Sequence, residues 1–128
     1  MDPIGDMLVK IKNASKAGHE SVSFPYSKIK QEIATALSRA GFVGKVSKKS
    51  GKKNELVEVE LVYTEGNSKI NDINRVSKVS RRVYSGVSTL KSVANGRGAY
   101  VLSTPKGVMT DKEAKKEHVG GEVILSIW

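Results

Sequence analysis

The stretch of sequence that decides the fold is AYVLSTPKGVMTDKEAKKEHVGGEVILSIW, which covers residues 99–128. It opens on an apolar segment, Ala99–Ser103, which predicts a strand. The turn-forming segment Thr104–Gly107 follows, and Thr110–Glu113 then has the spacing of a capping box that starts a short helix. Residues 122–128 predict a second strand. This half of the chain is therefore expected to be mostly β with short helices.

The first half has alternating helical and strand patterns. Apolar residues at helical spacing end at Gly18 and at Gly41, and alternating apolar residues lie between and after them. The predicted elements, in order, are a helix at 3–17, a strand at 21–24, a helix at 28–40, and strands at 42–46 and 56–63. A basic loop, Lys48–Asn54, is predicted between the last two strands. The first half is thus expected to be α-β-α-β-β.

Turn-forming residues cluster at Glu65–Ser68 and mark a predicted boundary. The expected fold is α+β, with two small packed subdomains: an N-terminal α/β subdomain at 1–66 and a mainly β subdomain at 67–128. Within the second, a short strand is predicted at 83–84, a helical turn at 87–94 and a tight turn at 95–98.

The charge of the chain points to a polyanionic partner. Lys and Arg number 22 and Asp and Glu number 13, which gives a net charge of +9. Residues 1–66 carry eleven basic and eight acidic side chains, whereas 67–128 carry eleven and five, so the excess is +3 against +6. Because basic surfaces bind nucleic acid by releasing its condensed counterions, RNA contact is expected mainly in the second half.

Several other classes of function are disfavoured by composition. The absence of cysteine excludes disulfides and zinc knuckles, and no apolar run is long enough to cross a bilayer, so a cytoplasmic protein without a membrane partner is expected. Histidines 19 and 118 have no nearby catalytic partner in sequence, so no enzyme activity, cofactor or metal site is predicted. Glu58 and Glu60 are read as the solvent side of a strand. A small nuclease using Glu58, Glu60 or His118 is the rival hypothesis.

The loop Ser103–Gly107 is dense in small hydroxyls and lies in the basic half. Short hydroxyl side chains and backbone amides can approach the 2′-hydroxyls and base edges of an irregular RNA helix. A simple β-turn is an equally good interpretation of these residues alone. Tyr84 and Tyr100 are candidates for stacking on bases or for half-buried strand positions. Gly120-Gly121-Glu122 is either a point of close backbone approach, with Glu122 accepting from a base, or a flexible turn.

Several segments together resemble bacterial small-subunit ribosomal protein eight. They are 103–114 (STPKGVMTDKEA), 119–123 (VGGEV), 2–8 (DPIGDML), 11–14 (IKNA), 41–43 (GFV), 75–78 (RVSK) and 82–84 (RVY). The resemblance covers nearly the whole chain in order. It implies two α+β subdomains, the second of which binds the central domain of small-subunit ribosomal RNA during subunit assembly beside neighbouring small-subunit ribosomal proteins. Some bacterial members also repress translation of their own operon by binding its messenger RNA.

The family's RNA contacts carry over to matching positions. They are Tyr84, Ser103, Thr104, Lys106, Gly107, Gly120, Gly121 and Glu122. Contacts to phosphates are expected from Lys12, Lys28, Lys30, Lys78, Arg81, Arg82 and Arg97. The chain departs from the family pattern at Pro105, where a second serine is usual, and at Arg97, where an apolar residue is more frequent. The first change removes a hydroxyl and an amide donor, and the second adds a cation.

Overall fold

The computed structural model describes residues 3–51, 53–77, 82–86 and 98–128. The chain divides into two compact units, Pro3–Ile70 and Asn71–Trp128. Each unit combines helix with antiparallel strands, so the α+β class is confirmed. The sequence placed the boundary at residues 66 and 67, whereas the units divide at Ile70 and Asn71.

The first unit contains the α-β-α-β-β order that the sequence predicted, followed by a small hairpin. Its elements are α1 (Pro3–Ala17), β1 (Ser21–Pro25), α2 (Lys28–Arg39), β2 (Val43–Ser50), β3 (Glu55–Leu61), β4 (Tyr63–Thr64) and β5 (Asn67–Ser68). The first three strands form an antiparallel sheet in the order β1-β3-β2. Apolar side chains of both helices and of the sheet are fully buried, and they include Met7, Ile11, Phe24, Ile33, Leu37, Val57 and Val59.

Local chemistry explains where α2 begins and ends. The Ser27 side chain accepts a hydrogen bond from the N–H of Lys30 and so caps the first turn. The helix ends before Gly41, whose φ of +86° favours a residue without Cβ. Its buried positions, Ile33 and Leu37, are one turn apart, as expected for a helix with one face on a sheet.

The predicted basic loop Lys48–Asn54 is only partly correct, because β2 continues to Ser50. Lys48 forms an ion pair with Glu55 at 2.8 Å and lies 4.3 Å from the centre of the Tyr26 ring. The hydrogen bond to Glu55 raises the pKa of Lys48. Cross-strand pairs of this kind favour continued pairing over a loop, and alternation of apolar residues cannot reveal them. The paired strands therefore reach Ser50 on one side and Glu55 on the other.

The second unit is built on one sheet. Its elements are β6 (Ile73–Arg75), β7 (Tyr84–Ser85), β8 (Ala99–Thr104), β9 (Gly107–Thr110), α3 (Asp111–Glu117) and β10 (Gly121–Ile127). The sheet has the order β6-β10-β8-β9, and β7 also pairs with β10. The capping box at Thr110 and Glu113 is confirmed. The sequence missed β6 and also missed β9, which separates the turn from this helix. The predicted helical turn at 87–94 and most of the tight turn at 95–98 lie outside the described residues.

Strand β10 lies in the middle of this sheet. Val123 to Ile127 are all buried, whereas an amphipathic strand buries alternate residues. A bulge interrupts its pairing with β8 between Val123 and Leu125. The carbonyl of Ile124 in the bulge accepts hydrogen bonds from the N–H of Val76 and from Nη1 of Arg75, both at 2.9 Å. The side chain of Arg75 therefore satisfies the carbonyl of this irregular residue.

Two findings limit the chemistry of the described ranges. Each helix there is too short or too polar to cross a bilayer. Nowhere in the same ranges do three His, Asp or Glu side chains lie close enough to hold a metal ion.

Candidate nucleic-acid interface

A row of three candidate residues crosses the sheet of the second unit. Tyr84 of β7 is directly opposite Glu122 of β10, and Glu122 is directly opposite Ser103 of β8. Directly opposed residues of antiparallel strands project from the same face, so the three side chains are neighbours. Tyr84 is 70% exposed, and Ser103 and Glu122 are partly exposed. The row therefore combines an aromatic ring, a carboxylate and a hydroxyl on one accessible strip.

The exposure of Tyr84 bears on one alternative left open by the sequence. A half-buried strand tyrosine was the usual explanation for both Tyr84 and Tyr100. Tyr100 is partly buried, as that explanation expects, but Tyr84 is one of the most exposed large apolar side chains described. Its ring is accessible for stacking on a planar ligand.

The predicted loop is the turn of the β8–β9 hairpin. Thr104 and Gly107 are the last paired residues, and Pro105 and Lys106 occupy the exposed tip. The Thr104 hydroxyl donates to the Gly107 carbonyl at 2.8 Å and accepts from the N–H of Lys106 at 3.2 Å. Gly107 has a φ of +121°, which suits glycine. The segment is therefore a turn with an ordered backbone, and its position next to Ser103 also suits a binding loop.

Gly120 and Gly121 lie where neighbouring backbones come close. A Cβ on Gly120 would be 2.7 Å from the carbonyl oxygen of Ser85, and a Cβ on Gly121 would overlap the carbonyl oxygen of Ser103. Residues of β7 and β8 therefore occupy the space that a side chain would need. The two glycines let three strands pack at this end of the sheet, which brings Tyr84 and Ser103 to either side of Glu122.

Two of the candidate cations already contact carboxylates. Nη1 of Arg82 is 3.0 Å from Oε2 of Glu122, whose side chain is only 17% exposed. Nζ of Lys106 is 3.3 Å from Oε2 of Glu117, and both of these side chains are more than half exposed. An exposed pair such as Lys106–Glu117 contributes little to stability and separates easily. In the pair that Arg82 forms with Glu122, the carboxylate is less exposed to solvent than the carboxylate of the Lys106–Glu117 pair.

The remaining candidates lie elsewhere in the chain. Lys12 belongs to α1, and Lys28 and Lys30 belong to the first turn of α2, so all three are in the first unit. Nζ of Lys30 lies 3.5 Å from the carbonyl oxygen of Pro25. Lys78, Arg81 and Arg97 lie outside the described residues.

Ser77 has a positioning role that the sequence analysis did not predict. It is completely buried, and its hydroxyl accepts from the N–H of Val83 at 2.8 Å and donates to the Val83 carbonyl at 3.2 Å. The Val83 carbonyl also accepts from the N–H of Val123. Ser77 thus holds the chain between Arg82 and Tyr84. A separation of six residues matches no hydrogen-bond spacing of a helix or a turn, so the sequence does not reveal that Ser77 bonds to Val83, and only the structure shows it.

Glu58 and Glu60, the carboxylates that the rival nuclease hypothesis would use, have positions that the strand pattern alone explains. Glu58 and Glu60 alternate on β3 with the buried Val57 and Val59, as the sequence predicted. Glu58 is 2.9 Å from Nζ of Lys49 across the sheet. Their arrangement is that of an ordinary solvent-facing strand side.

Comparison with known proteins gives the family of the chain. The family model described as ribosomal protein S8 matches residues 2–128. The chain belongs to the ribosomal protein S8 family. This confirms the resemblance drawn from the motifs. Because S8 proteins are structural components rather than enzymes, the nuclease hypothesis is wrong.

Curated relatives of the S8 family match the chain from end to end. A protein of Erythrobacter litoralis is 42% identical over 127 residues, which cover 99% of this chain and 97% of the relative. A protein of Mycoplasmopsis agalactiae is 44% identical over 127 residues with the same coverage. One of Caldicellulosiruptor bescii is 43% identical over 129 residues, covering 100% of this chain and 98% of the relative. Each of them is named small ribosomal subunit protein uS8.

Proposed function

We propose that this S8 protein is a cytoplasmic structural component of the small ribosomal subunit whose second unit binds the central domain of small-subunit ribosomal RNA. Binding stabilises one conformation of an irregular RNA helix over its alternatives, which supports folding of that RNA and assembly of the subunit. The first unit adds phosphate contacts through Lys12, Lys28 and Lys30. Neighbouring small-subunit proteins complete its surroundings.

The observation that carries the proposal is the row of Tyr84, Glu122 and Ser103 ending beside the Thr104–Gly107 turn. An exposed ring can stack on an unpaired base, and a serine hydroxyl can donate to or accept from a 2′-hydroxyl. Among the residues that the structure describes, none forms a hydrogen bond with the Ser103 hydroxyl. This group therefore remains available for a ligand.

The charge distribution supports RNA as that ligand. The net charge is +9, and residues 67–128 hold eleven basic and only five acidic side chains. The basic residues supply affinity that depends on salt and not on sequence, whereas the row and the turn supply the shape that distinguishes one RNA from another. Both kinds of contact are needed for a specific complex.

The decisive experiment compares two transcripts of equal length, the central domain of small-subunit ribosomal RNA and a random sequence, in a binding titration at one salt concentration. The parent protein should bind the central-domain transcript more tightly by at least roughly a thousandfold. Replacement of Tyr84 by Ala should weaken that complex by about 1–3 kcal/mol through loss of stacking, whereas Tyr84→Phe keeps the ring and most of the affinity. Equal affinity of the parent for the two transcripts would refute the proposal.

Repression of the protein's own operon is a further part of the proposal. A messenger RNA hairpin with the same shape as the ribosomal site would use the same row and turn. Competition between the two RNAs for one protein would show a shared surface, and simultaneous binding of both would contradict it.

A further inference from the structure

The contact between Arg82 and Glu122 lies inside the row that the proposed function uses. Nη1 of Arg82 is 3.0 Å from Oε2 and 3.3 Å from Oε1, so one nitrogen bridges both oxygens of the carboxylate. The side chain of Glu122 is 17% exposed and that of Arg82 is 53% exposed. A carboxylate with so little access to water needs a partner for its charge.

The backbone next to Arg82 is fixed from two sides. The buried Ser77 hydroxyl bonds both the N–H and the carbonyl of Val83, and the same carbonyl accepts from the N–H of Val123 at 2.8 Å. Because Val83 is tied to β10, the adjacent Arg82 reaches Glu122 without ordering a loose segment of chain. The guanidinium is thereby set in place before any ligand arrives.

The position of Glu122 makes this partner necessary for binding RNA. Glu122 lies between the exposed ring of Tyr84 and the Ser103 hydroxyl. An unpaired negative charge at that point would repel the phosphates of any RNA that lies along the row. A carboxylate paired with arginine presents no net charge and keeps a defined orientation.

We propose that Arg82 is a positioning residue, which neutralises and orients the Glu122 carboxylate so that RNA can lie against the row, and that it is not itself a phosphate contact. This inference rests on the proposed function and changes the role that the sequence suggested for Arg82. It predicts that the effect of Arg82 on RNA affinity depends on the charge of Glu122.

The test measures the affinities of five proteins for the central-domain transcript: the parent, Arg82→Gln, Arg82→Lys, Glu122→Gln and the double variant Arg82→Gln/Glu122→Gln. The single change Arg82→Gln should weaken binding by about tenfold, since it leaves the carboxylate unpaired. The double variant should bind within about threefold of Glu122→Gln, because without a charge on residue 122 there is no carboxylate for Arg82 to neutralise. Arg82→Lys keeps the charge and should also stay within about threefold.

The double variant decides the question even if the unpaired carboxylate of Arg82→Gln prevents folding. If Arg82 contacts a phosphate, the double variant loses that contact and binds about tenfold more weakly than Glu122→Gln, which would overturn the inference. The thermal unfolding curve of each variant is measured first, and binding is then compared at a temperature at which all of the compared proteins are folded.

The random-sequence transcript separates this inference from the proposed function. If the parent does not distinguish the central-domain transcript from the random one, the proposed function fails whatever Arg82 does. If the parent distinguishes them and the double variant binds about tenfold more weakly than Glu122→Gln, the inference about Arg82 alone fails.

Discussion

The hydroxyl of Thr104 donates a 2.8 Å hydrogen bond to the carbonyl of Gly107 across the β8–β9 turn. The same oxygen accepts from the N–H of Lys106, and Thr104 is only 9% exposed. Its hydrogen bonds therefore shape the turn. The neighbouring Ser103 differs, because its partly exposed hydroxyl has no hydrogen-bond partner within the described ranges. Adjacent hydroxyl residues thus have separate tasks, one in the turn and one at the surface.

Replacement of Thr104 by Ala should lower the free energy of unfolding by about 1 kcal/mol, since the turn loses its internal hydrogen bonds. Binding to the central-domain transcript should weaken as well, because Lys106 and Ser103 are then held less firmly. The control is Thr104→Ser, which keeps the hydroxyl and should remain close to the parent in both measurements. Urea denaturation of the three proteins checks the stability, and an unchanged midpoint for Thr104→Ala would contradict the role in the turn.

Replacement of Ser103 by Ala should show the opposite pattern. We expect the free energy of unfolding to change by less than about 0.5 kcal/mol, because no hydrogen bond within the described residues is lost. The free energy of binding to the central-domain transcript should fall by about 1 kcal/mol, with little change for random RNA. A stability loss as large as that of Thr104→Ala would mean that the hydroxyl serves the fold rather than the ligand.

Replacement of Lys106 by Gln should change the salt dependence of binding. Because the variant places one fewer positive charge against the RNA, the slope of log affinity against log salt should fall by about one unit. The free energy of unfolding should change by less than about 1 kcal/mol, since the lost ion pair with Glu117 is exposed. The matched control is Lys45→Gln, which removes an exposed lysine from β2 in the other unit. Equal slopes for the parent and Lys106→Gln would place this side chain away from phosphate.

Replacement of Gly121 by Ala should destabilise the second unit. The added Cβ would overlap the Ser103 carbonyl, so β8 and β10 must separate, at a cost of about 1–3 kcal/mol. Gly86→Ala is the control, since among the described residues no atom lies within 4 Å of the Cβ that it would add. Thermal unfolding of both variants checks this. Equal melting temperatures would show that the strand ends adapt without strain.

The sequence predicted best those helices and strands whose ends and periodicity are encoded by residues close together in the chain. The first unit was predictable because its helices have end signals at Gly18 and Gly41 and its strands alternate. The ends of β2 and β3 were less accurate, since cross-strand pairs such as Lys48–Glu55 extend the hairpin. The second unit was harder, because β6, β7 and β9 have two to four residues each and gain their conformation from pairing with longer strands.

The sequence selected candidate residues for RNA contact, and those contacts stay predictions, but it could not show what each residue does within the fold. Residue type and motif selected Thr104, Gly121 and Arg82, yet each was assigned a contact with RNA. In the structure Thr104 closes a turn, Gly121 makes room for a neighbouring strand, and Arg82 pairs with Glu122. These tasks depend on residues distant in sequence. No local sequence pattern shows which polar side chain is used within the fold and which one is left at the surface.

The order of strands along the chain has a consequence for when the binding surface can first exist. β10 is the last strand of its sheet to be synthesised, but it is the one to which β6, β7 and β8 are hydrogen-bonded. During translation those three segments emerge without the neighbour they require, and Tyr84 and Ser103 remain unconnected. The face that we propose for RNA binding is therefore completed in one late step, so a nascent chain that stops before Gly121 should be unable to bind the central-domain transcript.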